Sequence, residues 1–414
     1  MSSYILRILK KIGIGESSYK ADFINFSIGY IIASALSLLS IVVVNKYLQP
    51  EELGRFSYIK SILELLYGVL SVNIYSSYLR FNIKGDNPHV KRLVHRVVLF
   101  STVVLVFFIF FFTKSFICIP FAFIIIYNER MYYFRSLMKM KELNIARILP
   151  VFLTFLIITG LFLFFKDLVT GYMIIGAYGI GYTVCLLLLK GSGQETIEKQ
   201  EFDIIPTKTI LKFCIPAMLL VLVDWILNFS AQIFIKEHFG YFDVARYAVS
   251  QRALLTIKLF TGLLLMFYPM MYYREIAKGN QTLIRKSRYI MIFLVLSLAL
   301  LLFVFSKYVY ILMGAKAYVN DLGLFRVLLI AECVRVVSSF FLMYLTYVLK
   351  TVLNLLIYLT SAMLNIVLLF FFLKDGGIIF AAYSSLISTI LIFVLSIVIA
   401  HKQENAFFRK QQLS

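Results

Sequence analysis

Long apolar stretches recur along the whole chain, and basic residues gather in every second gap between them. Val97–Phe112 with its flanks, Val151–Phe165 and Ile378–Ala400 are representative. A helix of roughly 20 apolar residues crosses the hydrocarbon core of a bilayer. A barrel strand would instead alternate polar and apolar positions over about ten residues. These runs are continuous, and in lipid the backbone polar groups must be satisfied within the segment. The pattern therefore predicts an all-α polytopic membrane protein with about twelve helices. The spans fall at about 23–45, 56–79, 93–113, 115–134, 146–166, 170–190, 210–235, 247–272, 289–308, 323–348, 351–373 and 378–400. Almost nothing remains for a separate soluble domain.

The basic residues set an orientation. Arg7, Lys10, Lys11 and Lys20 precede the first span, and Arg80, Lys84, Lys91 and Arg92 fill the second gap. Arg130, Arg135, Lys139 and Lys141 follow on the same side, then Lys190, Lys199 and Lys208, then Arg274, Lys278, Arg285 and Lys286, and finally Lys402, Arg409 and Lys410. The opposite side carries isolated charges such as Lys114, Lys166 and Lys374. Positive residues stay in the cytoplasm, so both termini are expected there, in a bacterial cytoplasmic (inner) membrane. The N-terminal 20 residues lack the apolar core and small-residue cleavage site of a signal peptide. The longest polar connector, GSGQETIEKQEFDIIPTK, divides the chain into 1–190, a cytoplasmic linker at 191–208, and 209–414.

Composition narrows the function. Hydrophobic residues make up 61% of the chain and its formal net charge is +20. That charge lies in membrane-proximal loops, where it serves topology and contact with anionic lipid rather than nucleic acid. Cys118, Cys185, Cys214 and Cys333 sit in or near apolar spans without CxxC spacing and read as small buried side chains. HExxH, GxxxxGK[ST] and GxSxG are all missing, and His89, His95, His238 and His401 show no metal spacing. No enzyme activity, metal or cofactor is expected.

Two segments look like copies at a constant offset. NKYLQPEELGRFSYIKSILELLYG begins at Asn45, and KEHFGYFDVARYAVSQRALLTIKL begins at Lys236. Gly54 aligns with Ala245, Arg55 with Arg246, Phe56 with Tyr247 and Leu63 with Leu254. Equal numbers of spans flank the linker, so the repeat is parallel, an arrangement used by transporters that rock between two openings.

LQPEELGRFSY with the following helix to YLRFN resembles the first helix pair of Wzx-type polysaccharide flippases. LKFCIPAMLLVLVDWILNFSAQIFI and FYPMMYYRE also fit that family, which shares a superfamily with the MATE exporters and lipid II flippases. The two extra helices usual in lipid II flippases are absent. The resemblance implies two six-helix lobes around a central cavity. It further implies movement of an undecaprenyl-diphosphate-linked oligosaccharide to the outer leaflet by alternating access, with polysaccharide polymerase machinery as a further partner.

Ionisable side chains at bilayer depth cost about 3 kcal/mol, so they face cavities or partners. Lys60 and Glu64, and Glu332 and Arg335, have helical spacing for self-neutralising pairs. Arg55, Arg246 and Arg326 read as interfacial. Arg252 and Lys258 have no acid one turn away, and Lys60 and Arg252 nearly coincide in the repeat. Lys60, Arg252, Lys258 and Arg335 are therefore expected to form a cationic cavity that holds the diphosphate, since Arg offers a bidentate fork and Lys a point charge. Asp224 lacks a basic neighbour in its own helix, and burial there would make it an ion-coupling site or a cross-helix partner. The alternatives are an ion-coupled drug exporter with an acidic cavity, and a membrane polysaccharide polymerase or ligase, which needs a longer outside loop than this chain offers.

Overall fold

The computed structural model describes residues 17–82, 87–137, 139–189, 205–277, 279–348 and 350–413, and among these every regular element is helical. The first half holds α1 (Ser17–Tyr47), α2 (Pro50–Leu70), a 3-10 turn at Ile74–Ser76, α3 (Ser77–Phe81) and α4 (Pro88–Thr113). It continues with a 3-10 stretch at Phe116–Phe123, then α5 (Ile124–Ser136), α6 (Met140–Phe165) and α7 (Gly171–Leu188). The second half holds α8 (Thr207–Phe239), α9 (Tyr241–Ala253), α10 (Leu255–Ala277), α11 (Gln281–Val304) and α12 (Ser306–Leu312). It ends with α13 (Leu322–Tyr347), α14 (Thr351–Leu395), a π turn at Ser396–His401 and α15 (Lys402–Leu413). Of the expected linker, only its last few residues lie within the described chain.

Local chemistry sets the boundaries. Pro50 opens α2 with its fixed φ, and Glu51 and Glu52 in the first turn complement the helix dipole. Pro88 opens α4, where the Asn87 side chain accepts from the amides of His89 (3.0 Å) and Val90 (3.4 Å). Thr170 and Asn280 cap α7 and α11 in the same way.

Eight described helices are long and apolar enough to cross a bilayer, or up to ten when two bent pairs are each taken as one span. The sequence pattern alone suggested about twelve. The difference lies in local breaks. The segment from α2 to α3 bends by 56°, and α9 to α10 by 40°. The stretch read as a span at 115–134 begins as a 3-10 helix with Pro120 inside it, leaving a 13-residue α5. The stretches at 351–373 and 378–400 fall on two limbs of α14 joined at Gly377, whose φ of 67° and ψ of −175° are non-helical.

Two bundles result. In the first, α1 packs on α6, and α7 on the 3-10 stretch and α6. In the second, α14 packs on both α13 and α8. The side chains left exposed are those of a lipid-facing surface: Phe111 is 72% exposed and Phe164 82%. In such a solvent, helices associate by close packing rather than by leaving water, so small residues sit at their contacts. A Cβ on Gly179 would meet the Phe121 amide nitrogen at 2.3 Å. The bundles meet chiefly where α2 crosses α9 and α8. Gly54 sits at that crossing, where an added Cβ would lie 1.8 Å from the Tyr241 carbonyl oxygen and 3.2 Å from the Ala245 nitrogen.

Candidate functional site

A cavity of about 210 Å³ lies between the two bundles, walled by α1, α2, α7, α8, α9, α10, α13 and α14. Its charged lining is Lys60, Glu64, Arg252, Lys258, Glu332 and Arg335. On α2, one helix face carries Ser57, Lys60, Ser61 and Glu64 into it, spaced three or four residues apart. On a continuous helix Arg252 and Lys258 would diverge by roughly 120° around the axis. The break between α9 and α10 at Leu254 re-aims the chain, and both side chains enter the cavity.

The structure thus brings together all four cations named from the sequence, with distinct partners. Lys60 donates to Glu64, and its Nζ lies 5.9 Å from the centre of the Tyr178 ring. Arg335 donates to Glu332 and, at 2.9 Å, to Asn228 Oδ1. Lys258 Nζ lies 3.9 Å from Glu332 Oε2, a partner on another helix. Arg252 differs. Its Nη1 donates to Asn45 Oδ1 at 2.9 Å and its Nη2 to Ser57, and its guanidinium lies over the Phe56 ring at 5.0 Å. Among the described residues Arg252 makes no ion pair. The lining therefore holds two more cations than carboxylates.

Asp224 departs from expectation. Its side chain is 66% exposed, outside the cavity lining, and meets Asn228 Nδ2 at 3.0 Å and Arg335 Nη1 at 3.5 Å. The side chain is exposed rather than buried, and its contact with Arg335 of α13 is the cross-helix pairing that the sequence left open as the alternative, while the next residue, Trp225, is 8% exposed. The three arginines read as interfacial are also tied down. Arg55 pairs with Glu52 at 2.8 Å, and Arg246 pairs with Asp243 at 2.7 Å and donates to Asp321 at 2.9 Å. Arg326 donates to Ser306 Oγ at 3.1 Å.

Several uncharged contributors gave no signal in the sequence. Asn45, Ser57, Gln232 and Gln251 are common polar residues near span ends. Here Gln232 donates to Gln251 at 2.7 Å, Gln251 to the Asn228 carbonyl, and Asn45 to the Met313 carbonyl at 3.1 Å. Among the described residues no group of His, Cys, Asp or Glu is arranged to hold a metal ion.

The class defined so far is a multi-pass membrane protein with a charged chamber between two helical bundles. No protein-family model and no curated protein matches the sequence. Solved structures do match the fold. An outward-facing multidrug-resistance MATE family transporter of the MOP superfamily is 14% identical, with a TM-score of 0.66, covering 93% of this chain and 96% of its own. An inward-facing structure of a transporter so described is 15% identical, with a TM-score of 0.61 and coverages of 92% and 99%. A MOP superfamily transporter from Pyrococcus furiosus, for which a reversed polarity of the binding pocket suggests a different function, is 13% identical. Its TM-score is 0.59 and the coverages are 93% and 96%. The chain therefore has the fold of the MATE family transporters.

Proposed function

We propose that this protein is a flippase that carries a polyprenyl-diphosphate-linked glycan from the cytoplasmic to the outer leaflet by alternating access, for cell-surface polysaccharide synthesis. The observation that carries this reading is Arg252, a cavity guanidinium with neutral partners only. A cation left uncompensated in a low-dielectric chamber is costly unless an anion comes to it. A diphosphate supplies that anion, and a guanidinium can bind it through two parallel bonds. Lys60, Lys258 and Arg335 extend the same field, each already partly balanced by a carboxylate. Tyr178 adds an aromatic face for a sugar ring. The Pyrococcus furiosus transporter supports the reading by analogy, since there too pocket polarity is linked to function on this fold. The setting proposed is a bacterial inner membrane, with both termini cytoplasmic and polymerase machinery receiving the product.

The fold neighbours described as multidrug-resistance transporters favour a second reading, export of drugs. A binding measurement separates the two. The full chain in nanodiscs is titrated with a short-chain polyprenyl diphosphate and, separately, with a cationic dye such as ethidium. Saturable binding of the diphosphate, lost in Arg252→Glu, supports the flippase. Binding of ethidium alone, strengthened by the same substitution, overturns it in favour of a drug exporter.

A further inference from the structure

Each bundle buries a glutamate near one end, and the two are neutralised differently. In the second bundle Glu404 of α15 is 3% exposed, and Arg288 Nη2 reaches both its oxygens, at 2.6 and 2.7 Å. Tyr272 donates to it at 2.6 Å, and His401 Nδ1 lies 3.1 Å away. This is a permanent ion pair with every carboxylate oxygen engaged.

In the first bundle Glu129 of α5 is equally enclosed, with its side chain 7% exposed. Tyr78 donates to its Oε1 at 3.2 Å, and His95 Nδ1 of α4 lies 3.4 Å from that same oxygen. Its Oε2 is buried with no hydrogen-bond partner. The two clusters have a similar plan. Tyr78 comes from the helical segment after α2 and Tyr272 from the one after α9, while His95 and Arg288 both lie near the start of the following long helix. Where the second bundle has an arginine, the first has a histidine, the side chain whose charge changes most readily near neutral pH.

Among the described residues His95 is the one ion-pair partner of Glu129, and the nearby charged and aromatic groups have contacts of their own. On α4, Lys91 donates to the Tyr133 hydroxyl at 3.0 Å. Tyr133, on the same helix as Glu129, stands edge-on to Tyr78 at 5.6 Å. From α6, Arg147 lies over the Tyr30 ring at 5.8 Å. From α7, Tyr182 packs on Tyr127 at 4.9 Å, and the Cys185 thiol reaches the Ala146 carbonyl. Tyr75, in the turn before α3, packs on Tyr132 at 4.8 Å.

We propose that Glu129, His95 and Tyr78 form a proton-binding site that couples proton uptake to the movement of the first bundle. His95 is half exposed, at 52%, and is the route for a proton from water. The proton arrives on the imidazole and either stays there beside the carboxylate or passes to a Glu129 oxygen. In both forms the pair carries one proton and no net charge, so it can stay buried. When the proton leaves to water the carboxylate is uncompensated, and the helices carrying it must part or admit water. Transport coupling assigned to Asp224 from the sequence thereby moves to a residue that is buried. The inference needs only a two-bundle membrane transporter and not the glycan substrate.

Trp225, the only tryptophan in the chain, provides the readout. Its indole N–H belongs to the second bundle and donates to the Ser61 carbonyl of the first at 2.7 Å. The full chain in nanodiscs, without any substrate, is titrated from about pH 8 to about pH 5 while quenching of Trp225 by acrylamide is followed. Wild type should show a single transition. His95→Arg leaves the cluster neutral at every pH, and Glu129→Gln leaves no buried carboxylate to uncover when the proton departs, so both should hold the low-pH signal throughout. His95→Arg copies the arginine of the second bundle and keeps the proposal testable should Glu129→Gln fail to insert. His401→Gln, beside the permanent pair, should leave the transition in place. A wild-type protein without a transition, or one that persists in both Glu129→Gln and His95→Arg, overturns the proposal. Because no glycan is present, either result leaves the substrate reading to its own test.

Discussion

Arg252 shows how one side chain holds two roles. It belongs to the second bundle, yet its two terminal nitrogens donate to Asn45 of α1 and Ser57 of α2 in the first. Charge-assisted hydrogen bonds contribute about 1.5–3 kcal/mol each when lost. Arg252→Ala should therefore weaken binding of a polyprenyl diphosphate by roughly 10- to 100-fold, as read by titration in nanodiscs. Arg252→Lys keeps the charge but loses the fork, so it should fall between wild type and alanine. Membrane-fraction immunoblots should show normal insertion for both. The charge and depth of Arg252 were legible from its apolar neighbourhood and its missing i±4 acid. The partners were not, because Asn45 and Ser57 lie far from it in sequence and carry no charge. Asp224 took the cross-helix pairing with Arg335, one of the two roles its sequence setting left open, but with its side chain exposed. Nothing in a run of apolar neighbours says which face of α8 points away from the core.

At the scale of elements, the repeat-equivalent positions Gly54 and Ala245 meet each other where α2 crosses α9. Each is followed by an arginine paired with an acid three residues before it, Glu52 with Arg55 and Asp243 with Arg246. Gly54→Val should force the two helices apart, at a cost of about 1–3 kcal/mol. It should also raise the acrylamide quenching of Trp225, which sits 8% exposed near the same junction. Gly54→Ser should do so less; equal quenching in wild type and Gly54→Val would mean that the crossing is not tightly held. Gly377 makes a second requirement. Its φ of 67° with ψ of −175° is a region open essentially to glycine alone. Gly377→Ala should therefore lower stability by about 1–3 kcal/mol, seen as a lower melting temperature in detergent. The matching motifs were readable in the sequence as a repeat. That they touch was not, since alignment records equivalence and says nothing about contact.

At the scale of the molecule, the bias of Lys and Arg gives a topology with a direct check. A cysteine replacing Ser192 should resist an impermeant maleimide applied to intact cells, whereas one replacing Lys374 should react. Background labelling should be low, because Cys118, Cys185, Cys214 and Cys333 are all buried. Strong labelling at position 192 would reverse the orientation.

The sequence by itself determined the solvent, the fold class and the residues that lipid would not tolerate alone. Those follow from one-dimensional quantities: run length, charge placement and the cost of ions in hydrocarbon. The tertiary structure decided what depended on direction and distance. It paired an exposed Asp224 with Arg335 of another helix, re-aimed Arg252 and Lys258 at the Leu254 break, and gave Lys258 a partner on another helix. It also separated two buried glutamates that look alike in sequence. Glu404 meets Arg288, while Glu129 meets His95 and keeps one oxygen unsatisfied. Which neighbour a buried charge finds is set by helix packing across the chain, and no local pattern encodes it.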